Sequence, residues 1–221
     1  GIAASVPAEA ATTASRYVTV NSEGSIKVIP DAVRLNANVS VVAGSNKEAL
    51  AKTSTSAAAV RAALAKAGIA KGDIATQSIS VYPEYNYTQD KGSVLVGYRG
   101  SQSFVVTIKN AENAGVVVDA VVAAGGDALQ IQGVTPFVLD SSSATESARA
   151  NAVKNAKAKA TSYAKLLGAK LGRVNYLVEN SSPISYPPIM AMAKAADSEA
   201  TVVDLGQQDV TVSITIQWAL L

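Results

Sequence analysis

Val33, Leu35, Ala37, Val39 and Val41 alternate with Arg34, Asn36, Asn38 and Ser40. A period of two predicts a strand with one wetted face. Upstream, Val18 and Val20 begin a short strand, and the run NSEGS, residues 21–25, predicts a turn. Downstream, Ser45 and Glu48 predict a capping box, in which each side chain satisfies a free backbone N–H of the other residue. The helix they open places Leu50, Ala57, Val60, Leu64 and Ala67 on one face, and Gly68 stands where a left-handed C-cap residue belongs. Two long runs, 73–87 and 94–110, then predict an antiparallel pair joined by the polar turn TQDKGS. At ~3.3 Å per residue the arms reach roughly 40 Å, so part of this hairpin projects beyond its own core. Gly97 and Gly100 predict a bulge or bend in the return arm.

A Val-rich helix at about 111–124, stopped by Gly125–Gly126, precedes a strand through Leu129, Ile131, Val134 and Phe137. From residue 33 the order is strand, helix, strand, strand, helix, strand, which is the order of a split βαβ, ferredoxin-like unit. A third helix follows, opened by a second predicted capping box at Ser143 and Glu146. Its alanines fall at 144, 148, 152, 156, 160 and 164. A spacing of four drifts ~40° per step around a helix of 3.6 residues per turn, and such a stripe admits a close neighbour. Lys154, Lys157 and Lys165 lie off the stripe and face water. VNYLVEN, residues 174–180, predicts a strand, and 181–206 a long irregular segment, a length that is usually functional or disordered. The last strand alternates Val210, Val212, Ile214, Ile216 and Trp218 with polar residues; Trp218 is either an anchor at the edge of the core or a ligand platform. The expected fold is α+β: a mixed, mostly antiparallel sheet with a ferredoxin-like βαββαβ unit, extended by a long Ala-rich helix and additional strands.

Composition removes more functions than it suggests. The 221 residues suit one large domain or two small fused ones. Nineteen basic and seventeen acidic residues give a net charge of +2, which calls for neither nucleic acid nor an acidic membrane surface. The chain has no Cys and no His. Ser-His-Asp and Cys-His catalysis, zinc sites built on thiolate or imidazole, and disulfides are therefore excluded. Asp31, Glu84 and Asp90 sit near turns without a spacing that pairs two carboxylates on one face. The glycine turns lack a following Lys-Ser/Thr, so there is no P-loop. No catalytic residue, metal site or cofactor is assigned. Residues 1–16 are small and polar, as in a disordered leader or a tether left after an export signal or lipid-anchored cysteine is removed.

The candidate chemistry lies in YPEYNYTQDKGSVLVGYRG, residues 82–100, which holds Tyr82, Tyr85, Tyr87, Tyr98 and Arg99. Alternation turns Tyr82 one way with Glu84 and Asn86, and Tyr85 and Tyr87 the other. Three readings fit: cross-strand stacking with Tyr98 that stiffens the hairpin, a contact surface for another subunit or protein, or a small-molecule site.

The ordered set of features over roughly residues 17–219 resembles the SIMPL domain family, also called DUF541. The resemblance is carried by Val18–Val20, Glu23–Gly24 and Pro30–Asp31 leading into an alternating strand. It continues through GIAKGDIATQSISVYPEY at 68–85, Gly97–Tyr98 after the hairpin turn, and AVKNAKAKATSYAKLLGAKLG at 152–172. The ending GQQDVTVSITIQWAL is similar to that of actinobacterial lipoprotein members, whereas NSEGS departs from the Gly-Glu-Gly of many members. The resemblance implies a SIMPL domain over 17–221, with 1–16 as an envelope tether. Family members are mostly bacterial and exported to the periplasm or cell envelope; some form ring-like oligomers, others are linked to stress tolerance, and the animal namesake binds a signalling kinase. No catalytic residue set belongs to the family. The expectation is thus a non-enzymatic, exported cell-envelope protein acting by self-association or by binding another envelope protein. It has no nucleic-acid partner and meets a membrane only through a lipid anchor. The alternative is a soluble ligand-binding or sensing domain with a tyrosine-lined cleft.

Overall fold

The computed structural model describes residues 1, 3–5, 15–180, 184–185 and 199–221. Most of the expected leader 1–16 and of the irregular segment 181–206 therefore lies outside the described residues. In chain order the elements are β1 (Tyr17–Val28), β2 (Ala32–Ala43), α1 (Asn46–Lys66), β3 (Ile74–Thr88), β4 (Gly92–Ile108), α2 (Ala114–Gly125), β5 (Leu129–Phe137), α3 (Ser142–Leu166), β6 (Leu171–Glu179), β7 (Ile184–Ser185) and β8 (Gln208–Leu220). The expected α+β architecture is present, with its strands divided between two sheets. The chain separates into two units, one of residues 1–26, 142–185 and 209–221, the other of residues 27–141 and 186–208.

The second unit holds the βαββαβ run. Its sheet has the order β3-β4-β2-β5, and all three pairings are antiparallel. That is the strand order a split βαβ unit requires. The alternation read from the sequence decides which face is dry. Val33, Leu35, Ala37 and Val39 of β2 and Phe104, Val106 and Ile108 of β4 pack with Val60 and Leu64 of α1 and Val117 and Val121 of α2. Fully burying a side chain the size of Leu35 or Leu64 stabilises by about 1.5–3 kcal/mol. At Gly100 α1 lies close against the sheet, since a Cβ there would overlap Thr53 Oγ1 and the Ala49 carbonyl. The described end of the irregular segment straps this unit. Thr201 donates from its N–H (3.0 Å) and its hydroxyl to Asp119 on α2, and Val203 and Leu205 pack against the core.

Helix ends follow sequence rules at one terminus more closely than at the other. Ser45 Oγ accepts the Glu48 N–H at 3.1 Å, while the Glu48 carboxylate pairs with Lys52 at 3.0 Å. Gly68 takes φ +90°, and the Gly68→Ala65 and Ile69→Leu64 N–H to carbonyl bonds close α1 in a Schellman turn. Gly168, with φ +68°, closes α3 with the same pair of bonds, Gly168→Lys165 and Ala169→Ala164. Two expectations are corrected here. Leu50 is 41% exposed, because the dry face of α1 runs through Ala49, Thr53, Ala57, Val60 and Leu64. Ser143 is not a cap, because α3 already begins at Ser142 and Ser143 lies inside its first turn.

The first unit pairs β1-β8-β6 into a sheet, with β7 on β8. Thr19 bonds Gln217, Asn21 bonds Thr215 and Ser25 bonds Thr211, so β1 runs antiparallel to β8. Val210, Val212, Ile214, Ile216 and Trp218 are buried, and all six alanines of the predicted stripe are buried on α3. Trp218, 4% exposed, is a core residue. The predicted turn at NSEGS does not form: β1 runs unbroken through it. Ser22 and Gly24 are buried on the α3 side, with Ser22 Oγ donating to the Ala152 carbonyl at 3.0 Å. A Cβ at Gly24 would overlap the backbone of Ala148 and Ala152. These small residues are present because a helix crosses the strand, not because the chain turns.

Candidate interaction surface

The hairpin β3–β4 outruns the sheet that anchors it. β2 ends at Ala43, opposite Tyr98, whereas β3 and β4 go on pairing to Thr88 opposite Gly92. Among the described residues, 84–97 therefore form a two-stranded ribbon with no third strand, reaching about 15–20 Å at ~3.3 Å per residue. At its tip the Thr88 hydroxyl accepts the Lys91 N–H at 3.2 Å. The predicted bulge falls at the root of the ribbon. The register shifts between Glu84, opposite Gly97, and Tyr85, opposite Leu95, which leaves Val96 unpaired and twists the ribbon locally. Gly97 is required there, since a Cβ would sit 2.7 Å from the Ala43 carbonyl oxygen.

The five candidate residues divide between two faces. Tyr82 lies directly opposite Arg99 on one face. Arg99 is committed internally: Nε and Nη2 donate to the two Glu84 carboxylate oxygens at 2.8 and 2.9 Å, and Nη1 donates to Ser40 Oγ at 2.8 Å. The Glu84 hydrogen bond raises the Arg99 pKa above its ordinary value, against a smaller opposing effect of burial. A bidentate pair of this kind fixes orientation as well as charge, so Arg99 clamps the ribbon to β2 at its base. Tyr85 and Tyr87 point to the opposite face, across from Leu95 and Ser93. Tyr98 stands opposite Pro83. No tyrosine sits directly across from another, so the expected stacking with Tyr98 has no directly opposed partner.

What the ribbon presents is apolar. Tyr85 is 59%, Tyr87 75% and Leu95 48% exposed, and Val94 and Val96 are also exposed. The return-arm valines and leucine were not among the sequence candidates. Their signal was present in the VLV run beside a polar turn, which reads as a core strand unless the arm is known to overshoot. Among the described residues no strand pairs with either edge of the ribbon, which leaves a template for another strand.

Elsewhere, a cavity of about 230 Å³ is lined by Arg61, Lys71, Ile74, Thr76, Gln102 and Phe104. Two of about 490 and 450 Å³ lie along α1 with α2 and beside Asp73 and Lys109. None of the three is lined by Tyr82, Tyr85, Tyr87 or Tyr98. Asp31 accepts the Leu139 N–H at 2.9 Å, and Glu84 is held by Arg99. Among the described residues no group of three or more potential metal ligands is found, and no helix is long and apolar enough to cross a membrane.

Comparison with known proteins gives a consistent result. Residues 18–218 match the family described as SIMPL, protein of unknown function (DUF541). The 26 kDa periplasmic immunogenic protein of Brucella melitensis is 32% identical over 215 residues, covering 93% of this chain and 85% of that protein. The uncharacterized protein YggE of Edwardsiella ictaluri is 28% identical, covering 95% and 88%. YggE of Escherichia coli K12 is 29% identical over 182 residues, covering 81% and 72%.

Proposed function

The chain belongs to the SIMPL (DUF541) family, whose function is unknown, and from that premise we propose that it is an exported cell-envelope protein that works by docking to other chains, foremost copies of itself, through the β3–β4 ribbon. The observation that carries this reading is the ribbon beyond Ala43, with Tyr85, Tyr87, Val94, Leu95 and Val96 exposed on two strands that no third strand supports among the described residues. A two-stranded ribbon is at best marginally stable in water on its own, and exposed apolar surface of this kind marks interaction sites. Docking covers the side chains and pairs a free edge. Export is supported by the Brucella relatives, which are named as periplasmic proteins. Action without catalysis is supported by a sequence that has neither His nor Cys to serve as base or nucleophile.

Light scattering on the whole chain tests the proposal. The expected mass is a multiple of 22.5 kDa, falling to the monomer when residues 86–93 are replaced by a short turn, or in a Tyr87→Ser/Leu95→Ser variant. A monomer at high concentration in every form rules out self-association, and an unchanged multiple in the shortened form moves the interface elsewhere. The alternative of a tyrosine-lined ligand cleft has less support, since Tyr82, Tyr85, Tyr87 and Tyr98 line none of the three cavities described above.

A further inference from the structure

Charge is unevenly placed along the unit formed by residues 1–26, 142–185 and 209–221. Between residues 150 and 178 the sequence has six cations, Lys154, Lys157, Lys159, Lys165, Lys170 and Arg173, and no Asp or Glu. The register brings part of this run to one end of the sheet. Leu171 pairs with Leu220, Lys170 and Leu221 exchange backbone hydrogen bonds at 2.9 and 2.7 Å, and the Leu220 N–H donates to the Arg16 carbonyl at 3.0 Å. Arg16, Lys165, Lys170 and Arg173 are exposed, and none of them takes part in a side-chain ion pair among the described residues. The carboxylates of Glu146, Glu179 and Asp209 belong to the other end, at the start of α3, the end of β6 and the start of β8. Arg149 already occupies the first two.

The same basic end carries apolar side chains that the fold leaves in water. Leu166 is 79% and Leu167 67% exposed at the last turn of α3, with Tyr163 and Leu221 also exposed. A helix end that exposes two leucines and a tyrosine amid unpaired cations has the chemistry of an interfacial anchor: apolar side chains enter the acyl boundary while cations meet headgroup phosphates. We propose that this end docks reversibly on the surface of an anionic lipid bilayer, contrary to the expectation drawn from a net charge of +2, which averages over the whole chain and hides the local run of cations. A second copy fits it less well, because a two-fold contact would set the same four cations against one another.

Flotation of the whole chain with phosphatidylcholine vesicles, with and without one third phosphatidylglycerol, tests this. The protein should float with the anionic vesicles only, and high salt should release it, since screening removes the attraction. Lys165→Glu/Lys170→Glu and, separately, Leu166→Asp/Leu167→Asp should each weaken partition at least tenfold while circular dichroism and melting stay as in the parent chain. Replacing the ribbon tip 86–93 should leave flotation unchanged. Failure of the parent chain to float with anionic vesicles, equal flotation with neutral ones, or unaltered binding by both folded variants would overturn the assignment. So would loss of solution mass in Leu166→Asp/Leu167→Asp, which would show a second copy to be the occupant.

Discussion

At Gly24 the absence of a side chain sets how closely α3 crosses β1. A methyl there would meet the Ala152 backbone N–H and the Ala148 carbonyl, which belong to a helix backbone and cannot swing aside as a side-chain tip would. Gly24→Ala should therefore cost about 1–3 kcal/mol, as overpacking does, read as a lower urea midpoint at unchanged slope. The residue also shows why the local sequence misled. Asn, Ser and Gly are the commonest turn formers, and NSEGS has nothing apolar to disclose a buried face. The alternation is there, but in size: Val20, Ser22 and Gly24 are buried while Asn21, Glu23 and Ser25 are exposed. Glu48 gives a residue-scale test by pH. Its hydrogen bond and charge attraction with Lys52 hold its pKa below the ordinary glutamate value. A depressed folded pKa contributes stability at pH above the unfolded value and loses it as pH falls through the folded one. Glu48→Gln should thus leave the acid side of the stability profile flatter below the ordinary carboxylate range, with the neutral plateau only slightly lowered because the pair is exposed and screened by water.

Among the elements, α3 and the ribbon show what a pattern can and cannot reveal. The stripe Ala144 to Ala164 was legible because period and residue type agree, and its packing partner follows from geometry: only small side chains let a helix lie this close to a sheet. Ala156→Leu should destabilise by about 1–3 kcal/mol, whereas Ala158→Leu, two residues on and exposed, should stay within about 0.5 kcal/mol; thermal melts of the pair separate stripe from helix propensity. The order β2-α1-β3-β4-α2-β5 was equally legible, since each element has its own period. Register was not. Gly97 marked a bulge in the return arm, but nothing in the sequence says that β2 stops opposite Tyr98, or that Val96 is the unpaired residue, and those two facts decide which side chains of the hairpin stand free. The tyrosine cluster looked like one site because its members are close in sequence. In the fold, the bidentate Arg99–Glu84 pair clamps the base of the ribbon on one face, and Tyr85 and Tyr87 stand on the other.

On the scale of the whole molecule, each unit has a dry layer of its own. In one, the alanine stripe lies on β1 at Ser22 and Gly24 and the alternate residues of β8 are buried; in the other, α1 and α2 lie with β2 and β4. The chain passes between the units at residues 26–27, 141–142, 185–186 and 208–209, so the first unit is built from three separated stretches and closes only when β8 arrives. Its sheet therefore joins β1 to β8 from opposite ends of the sequence, while the βαββαβ run is one continuous stretch, local in the β3–β4 hairpin and long-range where β2 pairs with β4 and β5. Trp218, the chain's only tryptophan, is buried in the first unit and makes its fluorescence a reporter of that unit alone. Far-ultraviolet circular dichroism follows the helices of both. Gly24→Ala, under α3, should move the Trp218 transition to lower urea. Gly100→Ala, under α1, should lower the dichroism midpoint while shifting the fluorescence curve less. If both probes shift together by the same amount in both variants, the molecule unfolds as one cooperative block, and the two layers have no separate thermodynamic standing.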